Sequence, residues 1–560
     1  MKKRASAQVV CIVILLCSAV AISSAQTATF NMLVSFDGTN GASPEYMSFV
    51  QGADGNLYGT TLSGVTPYGT VFTITPSGTL TTLHNFDGND GFAPFAGLVL
   101  ARDLDFYGTT AYGGPGPGGG EVFKVTASGT VTALYAFCSQ PNCVDGETPY
   151  AGLVQGTDGN FYGTTTYGGG NSGIACNGYS CGTVFRITPT GIFTKLHSFN
   201  GTDGGQPMGE LVQGIDGNFY GTTYLGGGQA SGTIFKLSPQ GRVTTLYNFC
   251  WPTNCYTGAF PLAGLVQGID GNFYGTTLSG GANGYGTVFK ITPSGTLTTL
   301  HSFNNTDGAN PSGELVQGTD GNFYGTTENG GDLTCFPSFG CGTVFKIAPS
   351  GALTTLHVFE VNDGANPYGG LAQHTNGTFY GTTFGGGTYN TGGTVFGVSV
   401  GLGPFVETLP TSGKVGLTVH ILGTNLSGVS KVSFHGTAAA FTVVSPTEIN
   451  ASLPNGATTG SVAVTIAGGG TLNSNKKFLV MPQITSFSPT SGAVGTVVTI
   501  TGVSLTQTSK VTFGGVKATT FSVENDTSVK ATVPTGAPSG KIAIATSGGR
   551  ANSAMSFTVN

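Results

Sequence analysis

The segment from Gly264 to Phe303 reads GLVQGIDGNFYGTTLSGGANGYGTVFKITPSGTLTTLHSF, and turn residues divide its apolar positions into short runs. Four of these runs, Leu265 to Gln267, Asn272 to Thr277, Gly286 to Thr292 and Thr296 to Phe303, carry β-branched and aromatic residues and predict four strands. Asp270-Gly271 and Pro293-Ser294-Gly295 are tight-turn signals, so the first two strands and the last two form hairpins. The unit recurs. Tyr-Gly-Thr-Thr begins at Tyr58, Tyr107, Tyr162, Tyr220, Tyr274, Tyr324 and Tyr380, at intervals between 49 and 58 residues. Seven copies predict an all-β chain whose main part is a seven-bladed β-propeller, one four-stranded antiparallel sheet per blade. The seventh copy ends at Gly393-Thr394-Val395-Phe396 with no fourth strand, while Phe30 to Phe36 precedes the first copy as a strand without a blade. The N-terminal strand is therefore expected to complete the last blade and close the ring, which removes open sheet edges.

Past Gly403 a different repeat begins, offset by 79 residues: Gly423-Thr424-Asn425-Leu426 matches Gly502-Val503-Ser504-Leu505, Val432-Ser433-Phe434 matches Val511-Thr512-Phe513, and Phe478 matches Phe557. Each copy alternates short strands with Gly, Pro and Asn, as a β-sandwich does. The expected domains are a signal peptide at 1–25, the propeller at 26–402, and sandwiches at 403–480 and 481–560, the pair extending the propeller from another surface.

Two resemblances join these patterns. The LVQGxDGNFYGTT…GTVFKITPSGTLTTLHSF unit resembles the repeat of the bacterial choice-of-anchor tandem repeat GloVer proteins over roughly residues 30 to 400. That resemblance implies an exported protein, often one with a C-terminal surface anchor; here the sequence ends in Phe557-Thr558-Val559-Asn560 without a hydrophobic tail. Ser486-Phe487-Ser488-Pro489-Thr490-Ser491-Gly492, followed by Val498-Thr499-Ile500-Thr501-Gly502, is similar to the IPT/TIG immunoglobulin-like family, with Glu407 to Gly413 as the more divergent first copy. It implies spacer or adhesion modules.

Composition narrows the setting. Lys2, Lys3 and Arg4 precede an apolar run from Val9 to Ile22 and the small residues Ser23-Ser24-Ala25, the layout of a signal peptide cleaved after Ala25. Leu16 before Cys17 argues against lipid attachment there. The run is shorter than a spanning helix needs, so no membrane span is expected after cleavage. Cleavage takes the formal charge from -6 to 17 basic against 26 acidic residues, or -9, which excludes a basic nucleic-acid footprint. Outside the signal, eight cysteines fall into close pairs: Cys138 with Cys143, Cys176 with Cys181, Cys250 with Cys255, and Cys335 with Cys341. None has zinc spacing, and the pairs read as disulfides formed outside the cytoplasm, in a secreted, periplasmic or cell-surface protein.

Strand parity puts the second-to-third loops and the links between blades on one face. These vary in length and carry all four cysteine pairs, whereas turns such as Thr157 to Asn160 and Thr188 to Gly191 leave the opposite face and stay short. A rigid scaffold with variable loops on one side is a binding layout. Asp87, Asp90, Asp203, Asp307 and Asp363 recur in Asn/Asp/Gly-rich loops; oxygen ligands so spaced can take calcium, and turns demand the same residues. No other cofactor is expected. His84, His197, His301 and His357 recur in Leu-His-x-Phe on an outermost strand, where Tyr135 and Tyr247 fill the same slot, so they read as packing residues. Glu210 and Glu314 begin innermost strands near the channel mouth and are the weak catalytic candidates, as an acid and base pair. Trp251, beside Cys250, either stacks on a sugar or covers its disulfide. The leading expectation is a non-enzymatic binding or adhesion protein for an extracellular polymer, carbohydrate first, or for a cell-surface protein. A glycan-active hydrolase or lyase and a structural envelope component are the alternatives.

Overall fold

A computed structural model describes residues 28–116, 118–171, 173, 176–250, 254–335, 339–389 and 392–560; the signal-peptide segment and Trp251 lie outside the described residues. Seven four-stranded sheets account for the described strands up to Ser399. Each sheet is open, with its first and fourth strands as edges. In the fifth, Val266–Gln267, Phe273–Thr277, Thr287–Ile291 and Leu297–Ser302 pair antiparallel in sequence order. These strands are a residue shorter at several ends than the β-rich runs, because Gly286 and Thr292 already belong to turns; Gly286 holds φ +95°. In the seventh, Ala372–Gln373, Phe379–Thr383 and Thr394–Ser399 come from late in the chain, and the fourth strand is Thr29–Ser35.

The repeated tetrapeptide explains how neighbouring sheets meet. Its Tyr stacks on the Phe that opens the next sheet's second strand: Tyr58 on Phe106 at 4.0 Å, Tyr162 on Phe219 at 3.9 Å, Tyr274 on Phe323 at 3.9 Å. The same hydroxyl donates back to an Asp of its own hairpin, as Tyr274 does to Asp270 Oδ2 at 2.9 Å. Glycine follows because a Cβ at Gly163 would stand 2.6 Å from Phe185 and 2.8 Å from Leu153. In five copies the first Thr donates to a carbonyl on the way into the next sheet, as Thr222 does to Ala263 at 2.8 Å, and the second shares a hydrogen bond with the Thr opening the third strand, Thr277 with Thr287 at 2.8 Å.

A glutamine at the end of the first strand in six of the seven sheets ties the turns together. Gln267 Oε1 accepts from Ile215 N–H of the preceding sheet at 3.0 Å, and Gln317 Oε1 accepts from Ile269 N–H at 3.0 Å. The seventh sheet meets the first by the same device, Thr375 N–H donating to Gln51 Oε1 at 2.9 Å, with Tyr380 and Leu57 in one apolar cluster.

Residues 405–559 form two further units of paired sheets, each around its own core: Val419, Ile421, Phe434, Val464 and Phe478 in one, Val498, Ile500, Phe513, Ile544 and Phe557 in the other. The first sits on the tight-turn side of the seven sheets. Thr447 Oγ1 donates to Ala53 O at 2.7 Å, Phe405 N–H donates to Thr375 O at 3.0 Å, and Leu422 packs with Tyr58 and Leu100. Leu100 replaces the tying glutamine in the second sheet, beneath this apolar cover. Among the described residues, the unit's hydrogen bonds to the seven sheets all fall on the tight-turn side.

Candidate ligand-binding site

Each sheet is entered through a short segment that follows a proline. Pro94, Pro149, Pro207, Pro261, Pro311 and Pro367 are followed by Phe95, Tyr150, Met208, Leu262, Ser312 and Tyr368; the first sheet has one extra residue and presents Glu45 and Tyr46 behind Pro44. Two residues on, each segment reaches the close approach between first strands. That slot holds Ser48, Gly97, Gly152, Gly264 and Gly370, and glutamate in the fourth and sixth sheets, Glu210 and Glu314. Glycine is required where the backbones meet: a Cβ on Gly97 would collide with the Ser48 carbonyl.

The segments converge on one cavity lined from six of the seven sheets, including Tyr46, Tyr150, Met208, Glu210, Leu262 and Glu314. Its volume of about 40 Å³ is room for a few waters at most, so a sugar ring would lie across its mouth. Glu314 reaches over Gly264, whose N–H donates to Oε1 at 3.1 Å; Glu210 lies over Gly152 in the same sense and makes no side-chain hydrogen bond among the described residues. Both carboxyl groups are sunk below the rim, although each residue keeps part of its surface accessible. Burial, then the proximity of Glu314, holds the Glu210 carboxyl well above the usual range; burial pushes Glu314 up to about 7 against the N–H groups of Gly264 and Glu210. The two acids thus share one cavity and sense each other, and the other polar side chains of its described lining are Tyr46, Tyr150, Ser48 and Ser312.

Around the opposite rim the side chains behind the prolines form an arc that sequence reasoning did not single out. Tyr46 lies 5.4 Å from Tyr368 and 6.4 Å from Phe95, Phe95 lies 4.5 Å from Tyr150, and the Tyr150 and Tyr112 hydroxyls share a 3.0 Å hydrogen bond. Tyr368 also meets Phe384 edge-on at 5.3 Å. The signal was available as one aromatic slot, filled in four of seven copies. Glu45 and Glu328 border the arc. Burial, then Glu328, pushes Glu45 up to about 7, and burial raises Glu328 against hydrogen bonds from Asn329 and Tyr368.

Farther out, the four cysteine pairs are disulfides, Cys138–Cys143, Cys176–Cys181, Cys250–Cys255 and Cys335–Cys341. All lie in loops of the mouth side. The repeated histidines join the aspartates proposed for calcium: His197 Nε2 is 2.9 Å from Asp203 Oδ2, while Asp203 Oδ1 accepts from Asn200 N–H at 3.0 Å. The pairs His84–Asp90, His301–Asp307 and His357–Asp363 repeat this, and Asp87 Oδ1 accepts from Asn89 N–H at 2.8 Å. Asp87 and Asp90 close one turn together, Asp203, Asp307 and Asp363 close one each, and among the described residues these carboxylates do not gather into a cluster of three ligands.

Solved structures similar to this chain include a surface glycan-binding protein from Prevotella bryantii, at 18% identity over 28% of this chain and 39% of that one with a TM-score of 0.22. They also include a protein of a xyloglucan utilization locus in Bacteroides uniformis, at 24% identity over 27% and 48% with a TM-score of 0.15. A fungal alcohol oxidase in complex with copper aligns at 12% identity over 79% and 97%, with a TM-score of 0.42. The chain thus spans well under two thirds of the length of the first two. No significant match was found among curated proteins. The Gloeobacter/Verrucomicrobia repeat matches residues 19–177, 170–267 and 253–412, and the IPT/TIG domain matches 405–480 and 482–559. With most of its length matched, including all seven sheets and the segments that build the mouth, this chain belongs to the Gloeobacter/Verrucomicrobia repeat family and carries two C-terminal IPT/TIG domains.

Proposed function

We propose that this chain is an exported, non-enzymatic binding protein whose ligand, a carbohydrate or other extracellular polymer, docks across the aromatic arc at the mouth. In this reading a signal peptide at 1–25 is removed and residues 26–402 close into a seven-bladed propeller. The sandwiches at 403–480 and 481–560 hold that propeller by its turn side, leaving the loops to the ligand. The ring is supported by the 7-to-1 junction, which uses the glutamine tie found at other junctions. Export is supported by the four disulfides.

The observation that carries the reading is the run of Tyr368, Tyr46, Phe95 and Tyr150, contributed by four sheets yet continuous in space. Flat aromatic faces with a polar edge suit the apolar faces of pyranose rings, and a shallow rim suits a polymer that passes over it. A glycan array probed with the mature chain is expected to give binding that Tyr46→Ala and Tyr150→Ala weaken by about tenfold, the loss of roughly one aromatic contact. An array on which wild type stays blank, with crosslinking that recovers a protein neighbour, would instead favour a structural envelope component.

The second reading, a glycan hydrolase or lyase, is favoured by one observation: Glu210 and Glu314 share the cavity with raised proton affinities. Against it stands the small cavity, which leaves no room for a sugar ring between the two acids. Release of reducing ends from a bound polymer, abolished by Glu210→Gln, would establish the enzyme.

A further inference from the structure

All seven sheets brace the mouth side in one way. The link that enters a sheet pairs with that sheet's second-to-third loop through a two-residue antiparallel bridge. Five of the seven links put Ala or Gly in this slot, as in Ala42 with Ser63 and Ala259 with Ser279. In the second sheet both partners are aromatic, Phe92 and Tyr112, and in the third one is, Tyr167 opposite Glu147. Since Ala and Ser form the same bridge elsewhere, the packing of the repeat does not call for the two rings of the second sheet.

Those rings extend the arc. The Tyr112 hydroxyl shares its 3.0 Å hydrogen bond with that of Tyr150, the Tyr112 ring lies 5.6 Å from Phe92, and Phe92 meets Tyr68 edge-on at 5.6 Å. Backbone hydrogen bonds hold all three in place before any ligand arrives. Phe92 N–H donates to Tyr112 O at 2.8 Å, Tyr112 N–H to Phe92 O at 3.1 Å, and Ala93 N–H to Tyr68 O at 2.9 Å. Tyr68 and Tyr112 are exposed. Among the described residues every exposed aromatic ring lies on a mouth-side loop, whereas the turn side exposes the aliphatic Ile192, Ile215 and Ile269. Ring orientation adds a second observation. The ring planes turn by 52° between Tyr368 and Tyr46, by 41° between Tyr46 and Phe95 and by 53° between Phe95 and Tyr150, and Phe92 and Tyr112 stand 41° apart. The flat face of a crystalline polymer needs its rings in one plane. Rings that turn from one to the next suit the units of a single hydrated chain, which rotates about its linkages.

Resting on the glycan-binding reading, we propose that the mouth takes a single soluble glycan chain rather than a crystalline surface, and that Tyr112, Phe92 and Tyr68 form a further subsite where the chain leaves the arc over the second sheet. The arc holds the first units and the outer rings hold those that follow. Because the bridge presets the outer rings, each added stacking contact comes with little further ordering of the protein. Affinity therefore grows with chain length until the outer rings are covered.

The test is calorimetry on the mature full-length chain with cello-, xylo-, malto- and N-acetylchito-oligosaccharides, each from disaccharide to hexasaccharide, beside pull-down on microcrystalline cellulose and chitin. At least one series is expected to bind about tenfold tighter as the hexasaccharide than as the trisaccharide, the worth of roughly one aromatic contact. Tyr112→Ala should remove that gain and leave trisaccharide affinity as it was, whereas Tyr46→Ala should weaken both. Tyr112→Phe, which keeps the ring and loses the bond to Tyr150, should keep the gain. Ile269→Ala on the turn side should change nothing. Equal affinity for trisaccharide and hexasaccharide overturns the outer subsite and leaves the glycan reading standing, and this arm needs no variant to fold. A gain that survives Tyr112→Ala overturns it too. Retention on the crystalline polymers without binding of any soluble series overturns the single-chain inference alone. If neither the series nor the crystalline polymers bind, this inference falls, and an array blank for every other glycan takes the glycan reading with it.

Discussion

The two sides of the seven sheets are built from the same repeat and treat it in opposite ways. On the turn side, the slots hold the same residues in six of seven copies, with Leu57, Leu100 and Asn376 as single departures. Tyr stacks on the next sheet's Phe at 3.9 to 4.1 Å in six junctions, and Asp accepts its hydroxyl within the hairpin. On the mouth side, one slot holds Phe, Tyr, Met, Leu and Ser in different copies, and the next holds Gly, Ser or Glu. Repetition marks positions where every sheet must solve the same packing problem. Variation marks positions released from that demand, where side chains are free to meet something outside the chain.

The largest expected effect tests the turn side. Tyr274 is 1% exposed, stacks on Phe323 at 3.9 Å and hydrogen-bonds Asp270 at 2.9 Å. Tyr274→Ala leaves a cavity between two sheets and should cost about 3–5 kcal/mol in denaturant unfolding. Ligand affinity of the chain that remains folded should not move. A loss of affinity without a loss of stability would erase the distinction between the sides.

The second prediction concerns the copy that breaks the rule. Where six sheets open their third strand with Thr, the second has Glu121, fully buried, with neither carboxylate oxygen hydrogen-bonded among the described residues. Burial, then Asp90, pushes its carboxyl from 4.5 up to about 8. The folded chain therefore holds this proton more tightly than the unfolded chain does. The sign follows: Glu121 does no harm below pH 4.5, and stability drains away as pH rises from there to about 8. Glu121→Thr restores the threonine pair with Thr110 and should add a few kcal/mol at alkaline pH while flattening that slope. Chemical denaturation of both proteins across this range reads it directly, and an unchanged slope would assign the pH dependence to other groups.

The periodic elements were readable from the sequence, because each short strand alternates or clusters its apolar residues and each turn carries Gly, Asp or Pro. Even the missing fourth strand could be assigned to the segment Phe30 to Phe36, found as Thr29–Ser35, since an unpaired edge at one end needs a spare strand at the other. The pairing of cysteines was readable too, because their short separations leave no other local partner. The site was only half readable. Glu210 and Glu314 stood out as departures from Gly, but the arc did not, because Tyr46, Phe95, Tyr150 and Tyr368 are about 50 to 320 residues apart and acquire meaning only when their sheets are set side by side. The pairing of His197 with Asp203 was likewise hidden, since the aspartate's loop suggested a metal and the histidine's strand suggested packing.

The smallest expected effect uses a substitution the chain has already made. Gln267 Oε1 accepts from Ile215 N–H at 3.0 Å and its Nε2 donates to Gly271 O at 3.1 Å, tying two exposed turns. The second sheet has Leu100 instead, but there Leu422 covers it and excludes water, so an apolar side chain is at home. Among the described residues, Gln267 stays partly exposed and Leu422 does not cover it. Gln267→Leu should therefore cost about 1 kcal/mol, the net worth of a hydrogen bond whose freed N–H can turn to water, whereas Leu100→Gln should cost at least as much by burying an amide under Leu422. If both substitutions were neutral, the repeated glutamine would not be what joins one sheet to the next, and the joining would rest on the Tyr and Phe stack alone.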